Sequence, residues 1–247
     1  AGREKTQEEF FSDLLNKKMN YGWIEGSPEF KKQVSMLYKN ISPEQILQTN
    51  GATGANFLAL YSLIEPGDHV ISLYPTYQQL YDIPRSLGAE VDLWHIREEK
   101  NWLPDLDELH KMIRPDTKMI CINNANNPTG AVMEEEFLKE LVEIAKSCGA
   151  YILSDEVYKP LEEGLYIPAI ADIYDKGISA NSLSKTYSIP GIRIGWTAAN
   201  PEITDIFRKY RDYTMICMGV FDDYLAAYVL KNKEAVLERN RKIVSEN

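Results

Sequence analysis

Residues 118–158 decide the fold. They open on Lys118-Met119-Ile120-Cys121-Ile122 and run into Asn123-Asn124-Ala125-Asn126-Asn127-Pro128-Thr129-Gly130. They close on Ala150-Tyr151-Ile152-Leu153 followed by Ser154-Asp155-Glu156-Val157-Tyr158. Residues 118–122 are a short apolar run, as a strand covered on both faces must be. Residues 134–147 repeat apolar side chains at helical spacing and carry acids in the first turn, where the helix dipole favours them. Gly149 punctuates that helix, and residues 150–153 return as a strand. Strand, helix, strand with short connections predicts a parallel sheet with helices on its faces.

The same alternation extends outward. Upstream, the spacing predicts helices over 28–39 (Phe30, Val34 and Leu37 on one face) and over 52–64, with Phe57, Leu58, Leu60, Tyr61 and Ile64 inward. The turn Glu65-Pro66-Gly67-Asp68 leads to a strand at 69–73. A helix at 78–87 is ended by Gly88, and a strand at 90–96 and a helix at 105–113 come next. Downstream, strands are expected at 178–181 and 194–199. Phe221, Tyr224, Leu225, Tyr228 and Val229 form an apolar helical stripe, and residues 234–247 read as a charged helix. Nothing caps that helix, so it is expected to lead into further chain. The start, Ala1-Gly2-Arg3, lacks an initiator Met and is expected to be processed or cut.

Composition narrows the class. The chain has 247 residues, a formal net charge of −10, 44% hydrophobic and 26% charged residues, so a sizeable globular core is expected. The acidic balance argues against a nucleic-acid partner, whose phosphates are met by Lys and Arg. No run approaches the ~18 apolar residues of a membrane span. Cys121, Cys148 and Cys217 are odd in number and far apart, which fits neither a disulfide framework nor a zinc site. A reducing, cytoplasmic compartment is expected.

In parallel sheets ligands sit at the carboxyl ends of strands. Four clusters fall there or at a helix start. The Asn-rich run 123–130 reads as a polar loop or as a ligand contact. Asp155 and Glu156 come after four apolar residues; a helix N-cap or a carboxylate serving a ligand would each explain them. Ser182-Leu183-Ser184-Lys185 precedes Arg193, which lies between Ile192 and Ile194 at an apolar strand start. A cation there needs an anionic partner. A lone lysine in a loop reads as solvated far more often than as catalytic. Thr49-Asn50-Gly51-Ala52-Thr53-Gly54 reads as an ordinary helix start or as a phosphate cradle.

Together these clusters resemble the class I/II aminotransferases, the fold-type I enzymes that use pyridoxal 5'-phosphate (PLP). The resemblance runs from about Tyr21 to the end of the chain. It rests on Asn127-Pro128-Thr129-Gly130, Asp155-Glu156-Val157-Tyr158 and Ser182-Leu183-Ser184-Lys185, with Arg193 eight residues beyond the lysine. It implies an α/β fold, a three-layer α/β/α large domain on a mostly parallel sheet, with the small C-terminal domain absent. Residues 1–20 would be an N-terminal segment, 21–230 the PLP-binding domain, and 231–247 the start of a connecting helix.

The implied function is transfer of an amino group from an amino acid to a 2-oxo acid. A β-eliminating carbon–sulfur lyase on the same fold is the alternative. Lys185 would form a Schiff base with the cofactor aldehyde. Asp155 would hold the pyridine proton. Tyr158 and Asn127 would bond the ring oxygen. Arg193, Ser182, Ala52 and Thr53 would bind the phosphate, and Tyr77 would stack on the ring. The resemblance also implies a homodimer in which Tyr21 reaches the neighbouring subunit's phosphate, with no metal, no membrane and no nucleic acid involved. The Asn127–Pro128 peptide is expected to be cis.

Overall fold

The computed structural model describes residues 6–159, 161 and 165–246. Among them seven strands form one sheet. These are β1 (Ile46–Asn50), β2 (His69–Tyr74), β3 (Glu90–His95), β4 (Thr117–Asn123), β5 (Tyr151–Asp155), β6 (Gly177–Ser182) and β7 (Ile194–Ala198). The helices are α1 (Gln7–Leu15), α2 (Pro28–Ser35), α3 (Gly51–Leu63), α4 (Gln79–Ser86), α5 (Leu106–Met112), α6 (Glu135–Cys148), α7 (Ile170–Ile173), α8 (Pro201–Arg211), α9 (Val220–Lys231) and α10 (Lys233–Ser245). Strand order is β1-β7-β6-β5-β4-β2-β3.

The pairs from β3 across to β6 are parallel. β7 runs antiparallel to both β6 and β1. The expected mostly parallel sheet is therefore present, with one antiparallel strand, β7, set between β6 and the edge strand β1. The cause is the connection: β6 and β7 are joined by residues 183–193, which hold only a single 3-10 turn. A parallel crossover needs a longer path, usually a helix.

Side-chain alternation along β4 builds the layers. Met119 and Cys121 pack with Leu58, Val70, Leu153 and Phe207 on the face covered by α3 and α8. Ile120 and Ile122 pack with Leu138, Leu141 and Ile152 on the α6 face. Period-two geometry assigns consecutive residues to opposite layers. Full burial of each such side chain stabilises by roughly 1.5–3 kcal/mol. A third cluster joins Phe30, Val34, Trp196, Ala226 and Leu230 beneath α2 and α9.

Several expectations change. The helix expected over 28–39 ends at Ser35, because the Asp172 carboxylate accepts from the backbone N–H groups of Lys39 and Asn40 and draws the chain away. In α3, Phe57 and Tyr61 do not point inward. They stack on each other at 5.4 Å, and Tyr61 meets Tyr210 edge-on. The buried stripe of α9 is Asp223, Ala226, Ala227 and Leu230 rather than the expected Phe221, Tyr224, Leu225, Tyr228 and Val229. Tyr224 and Tyr228 instead receive Phe10 of α1, at ring separations of 5.5 and 4.4 Å. Strands β4 and β5 run one and two residues past their expected ends, to Asn123 and Asp155, so both polar residues belong to the sheet.

Candidate active site

The carboxyl ends of β4, β5 and β6 meet the start of α3 at a cleft of about 230 Å³. Nine of the ten residues expected to touch cofactor line it: Ala52, Thr53, Tyr77, Asn127, Asp155, Tyr158, Ser182, Lys185 and Arg193. Asn123, Val157, Ser184 and Pro190 complete the wall. The tenth, Tyr21, is not among the lining residues and is 77% exposed.

Each wall has a local cause. Asp155 is the last residue of β5 and is buried. The chain leaves β5 in an irregular turn rather than a helix, so the N-cap reading falls. The Asp155 Oδ2 accepts from Asn56 Nδ2 at 2.7 Å, and its Oδ1 accepts from the Val157 N–H at 3.2 Å. Burial pushes the Asp155 carboxyl above its usual range, and those two hydrogen bonds draw it only partly back. Asn123 Nδ2 donates to the Asp155 carbonyl at 2.9 Å, while Asn123 Oδ1 accepts from the Asn127 N–H at 2.6 Å. One side chain thus ties the two loops together.

The asparagine run divides its labour. Asn124 makes a two-way amide pair with the backbone of Met133, at 2.9 Å in each direction. Asn126 donates to the Pro75 carbonyl and accepts from Thr129. These are loop-building contacts. Asn127 is half-buried and lines the cleft. The Asn127–Pro128 peptide is cis, as expected; so are Asn124–Ala125 and Tyr74–Pro75.

Lys185 is exposed to the cleft, with Nζ 5.5 Å from the Tyr158 ring centroid, and pairs with no acid among the described residues. The Ser182 hydroxyl accepts from the Ser184 N–H at 3.2 Å.

Arg193 departs from the sequence expectation. It lies just before β7, not in an apolar strand, and its side chain is exposed. The residue has φ 55°, and its Nη1 donates to the Pro190 carbonyl at 3.0 Å. The left-handed backbone turns the guanidinium over the start of α3. A Cβ at Gly51 would lie 2.9 Å from Arg193 Nη2, and Gly51 itself has φ +65°. At Gly195 a Cβ would come within 2.3 Å of the Gly51 carbonyl carbon, so the first turn of α3 rests directly on β7. The Asn50 side chain does not cap α3, which leaves the first N–H groups of the helix for an anion. The cleft thus combines an amine, a buried carboxylate, and a guanidinium beside an open helix N-terminus. A phosphorylated pyridine aldehyde suits that donor set.

Sequence reasoning missed Asn56, which sits one turn into α3 and gives no signal apart from being a polar residue in an apolar helix. Asn123 was visible only as one of a polar run.

Comparisons with known proteins agree with this geometry. The family model for aminotransferase class I and II matches residues 3–246. A crystal structure of a PLP-dependent aminotransferase from Streptococcus suis 89-1591 superposes with a TM-score of 0.96 at 70% identity, covering 98% of this chain and 64% of that one. The aspartate aminotransferase of Thermotoga maritima is 34% identical over 206 residues, 81% of this chain and 54% of its own length. That of Pyrococcus horikoshii is 32% identical over 235 residues, 90% of this chain and 60% of its own. The chain therefore spans little more than half the length of these two curated relatives. The carbon–sulfur lyase alternative gains no support from these matches. With nearly its whole length matched and the motif residues gathered in one cleft, the chain belongs to the class I and II aminotransferase family.

Proposed function

We propose that the protein is a PLP-dependent aminotransferase that moves an amino group from an amino acid to a 2-oxo acid. The observation that carries this reading is that Lys185, Asp155 and Arg193 line one cleft at the carboxyl ends of the strands. Pyridoxal phosphate supplies, when bound, an aldehyde that takes up amines and a ring that withdraws electrons from the substrate Cα.

The chain's own residues do the rest. Among the described residues Lys185 offers the only primary amine lining the cleft, and its Nζ moves the proton to and from the substrate Cα. Asp155 keeps a proton on the ring nitrogen by offering a buried carboxylate as its partner. Arg193 grips phosphate with its planar fork, helped by the N–H groups of Ala52 and Thr53 and the hydroxyls of Thr53 and Ser182. Tyr77 covers the ring, and Tyr158 and Asn127 hydrogen-bond its oxygen.

The active unit in this reading is a homodimer, with Tyr21 completing the neighbouring subunit's phosphate site. The outward aromatic surface supports it: Tyr61 and Tyr213 are 38% and 72% exposed, and Tyr21 and Trp23 are exposed as well. Residues 21–230 form the cofactor-binding domain. Before it α1 lies on α9 through Phe10, and after it comes α10. A cytoplasmic location accords with three free cysteines, and no helix of the described residues is long and apolar enough to cross a membrane.

Borohydride treatment of the PLP-loaded protein tests the site. The cofactor mass is expected on the peptide containing Lys185, and Lys185→Ala is expected to lose both that adduct and amino transfer, by about 10⁴-fold or more. A label on another lysine overturns the assignment. Formation of ammonia and pyruvate without pyridoxamine phosphate overturns the reaction class.

A further inference from the structure

Asn56 is completely buried one turn into α3, the helix whose first residues line the phosphate end of the cleft. It spends its amide on a single acceptor. Nδ2 donates to Asp155 Oδ2 at 2.7 Å, while Oδ1 is buried and accepts no hydrogen bond among the described residues. The orientation is dictated by charge, because a flipped amide would set its oxygen against the carboxylate. A buried amide oxygen left unpaired is a cost that folded proteins rarely tolerate without a compensating role.

The second Asp155 oxygen takes one backbone N–H, from Val157. Each carboxylate oxygen thus has one fixed donor on the protein side. Each keeps acceptor capacity, and Asp155 still lines the cleft. We propose that Asn56 is a positioning residue that holds the Asp155 carboxylate ionised and in one rotamer, ready to bind the protonated nitrogen of a pyridine ring. The proposal rests on the role of Asp155 in the proposed reaction and adds the residue that makes that role possible. The physical reason is burial: in a dry site the carboxyl drifts toward its neutral form, and a neutral acid cannot hold a ring proton. A hydrogen bond to an ionised carboxylate shifts such a balance by about 10- to 100-fold. The same α3 helix then serves the phosphate through its N-terminus and the ring nitrogen through its second turn.

The competing explanation is a plain helix-to-strand staple. The two separate in a comparison of PLP with its 1-deaza analogue, which carries a C–H where PLP has the ring nitrogen. Dissociation constants are read from the visible absorbance and fluorescence of the bound cofactor on the intact protein. Wild type is expected to bind PLP more tightly than the analogue. Asn56→Leu is expected to weaken PLP by about 10- to 100-fold while changing the analogue by less than about twofold. Equal loss for both ligands, or loss for neither, overturns the positioning role.

Equal binding of the two ligands by wild type would instead overturn the role of Asp155, and binding of neither would overturn the cofactor reading. Asn56→Asp, of matching volume, keeps the test alive if the leucine variant does not fold. Its carboxylic acid can donate to Asp155 only while protonated. PLP affinity should then sit near wild type at about pH 5 and fall at least tenfold toward about pH 8, with the analogue flat. Parallel pH behaviour of the two ligands overturns the proposal.

Discussion

The two ends of the same sheet treat their polar groups in opposite ways. At the amino end, His69, Asp92 and Thr117 on β2, β3 and β4 satisfy one another. His69 Nδ1 meets Thr117 Oγ1 at 2.8 Å and Nε2 meets Asp92 Oδ2 at 3.1 Å, while the Thr117 hydroxyl also accepts from the Arg114 N–H. At the carboxyl end, Lys185 has no acid partner among the described residues, Asn56 keeps an unpaired oxygen and Asp155 opens onto the cleft. A polar group that closes on its neighbours is architecture, whereas one left open beside a cleft is chemistry.

The contrast repeats between adjacent residues. Asp155 and Glu156 are both buried, and burial pushes both carboxyls up. Glu156 is not among the residues that line the cleft: its Oε1 accepts from the Ile170 N–H and the Ser179 hydroxyl, each at 2.9 Å, while its buried Oε2 has no partner among the described residues. Asp155 ends β5, and the next N–H, that of Glu156, still donates to the Ala180 carbonyl at 2.8 Å, so the extended alternation carries on for one residue and separates the two acids.

Substitutions at these two acids put the comparison under the largest strain. Asp155→Asn is expected to cut turnover by about 10²- to 10⁴-fold. Its effect on the cofactor-free fold runs the other way. A carboxyl held above its unfolded value favours the protonated state, so its ionisation costs stability progressively as pH rises past 3.8. Asp155→Asn removes that cost, and the thermal midpoint of the cofactor-free protein at neutral pH should hold or rise. Glu156→Ala should do the reverse, losing about 1–3 kcal/mol in denaturant titrations while PLP affinity stays within a few-fold. A variant of Glu156 that folds normally but loses the cofactor would break the distinction.

A middle-sized effect is expected at the opposite end. His69→Ala removes a buried ring and leaves the Thr117 and Asp92 side chains without it, at about 2–4 kcal/mol in chemical denaturation. The cofactor dissociation constant should not change, because the site lies at the other end of the strands. The smallest effect belongs to Glu25, outside both regions. Burial works to raise its carboxyl, but hydrogen bonds from Arg208 and Lys31 overcome this and hold it at about 2. Stability from this tie is present above pH 4.5 and lost as pH falls toward about 2. Acid unfolding curves of wild type and Glu25→Gln should therefore differ at neutral pH and converge in acid.

Parts of the fold were hidden from sequence reading for identifiable reasons. β1 escaped because Gln48 and Thr49 interrupt its apolar pattern. Both are buried, with Gln48 Nε2 donating to Asp223 at 2.9 Å and the Thr49 hydroxyl to the Gly51 carbonyl. α8 begins at Asn200-Pro201, where the asparagine side chain accepts from the Ile203 N–H; that cap signal was present in the sequence and overlooked. α1 was overlooked too, although Thr6 and Glu9 make a capping box.

Local rules acting over a few residues were enough for what the sequence determined by itself. The apolar runs of β2, β4 and β5, the periodicity of α6 with its glycine stop, and the spacing of Asn127, Asp155, Lys185 and Arg193 all lie within such windows. Contacts between distant segments were left to the tertiary structure. Asn56 reaches Asp155 across 99 positions, Phe10 settles on α9 and turns its aromatics away from the core, and Arg193 swings over Gly51. Hydrogen bonds and close packing depend on distance in space, and a linear chain carries no direct record of which far residues folding will bring within about 3 Å of one another.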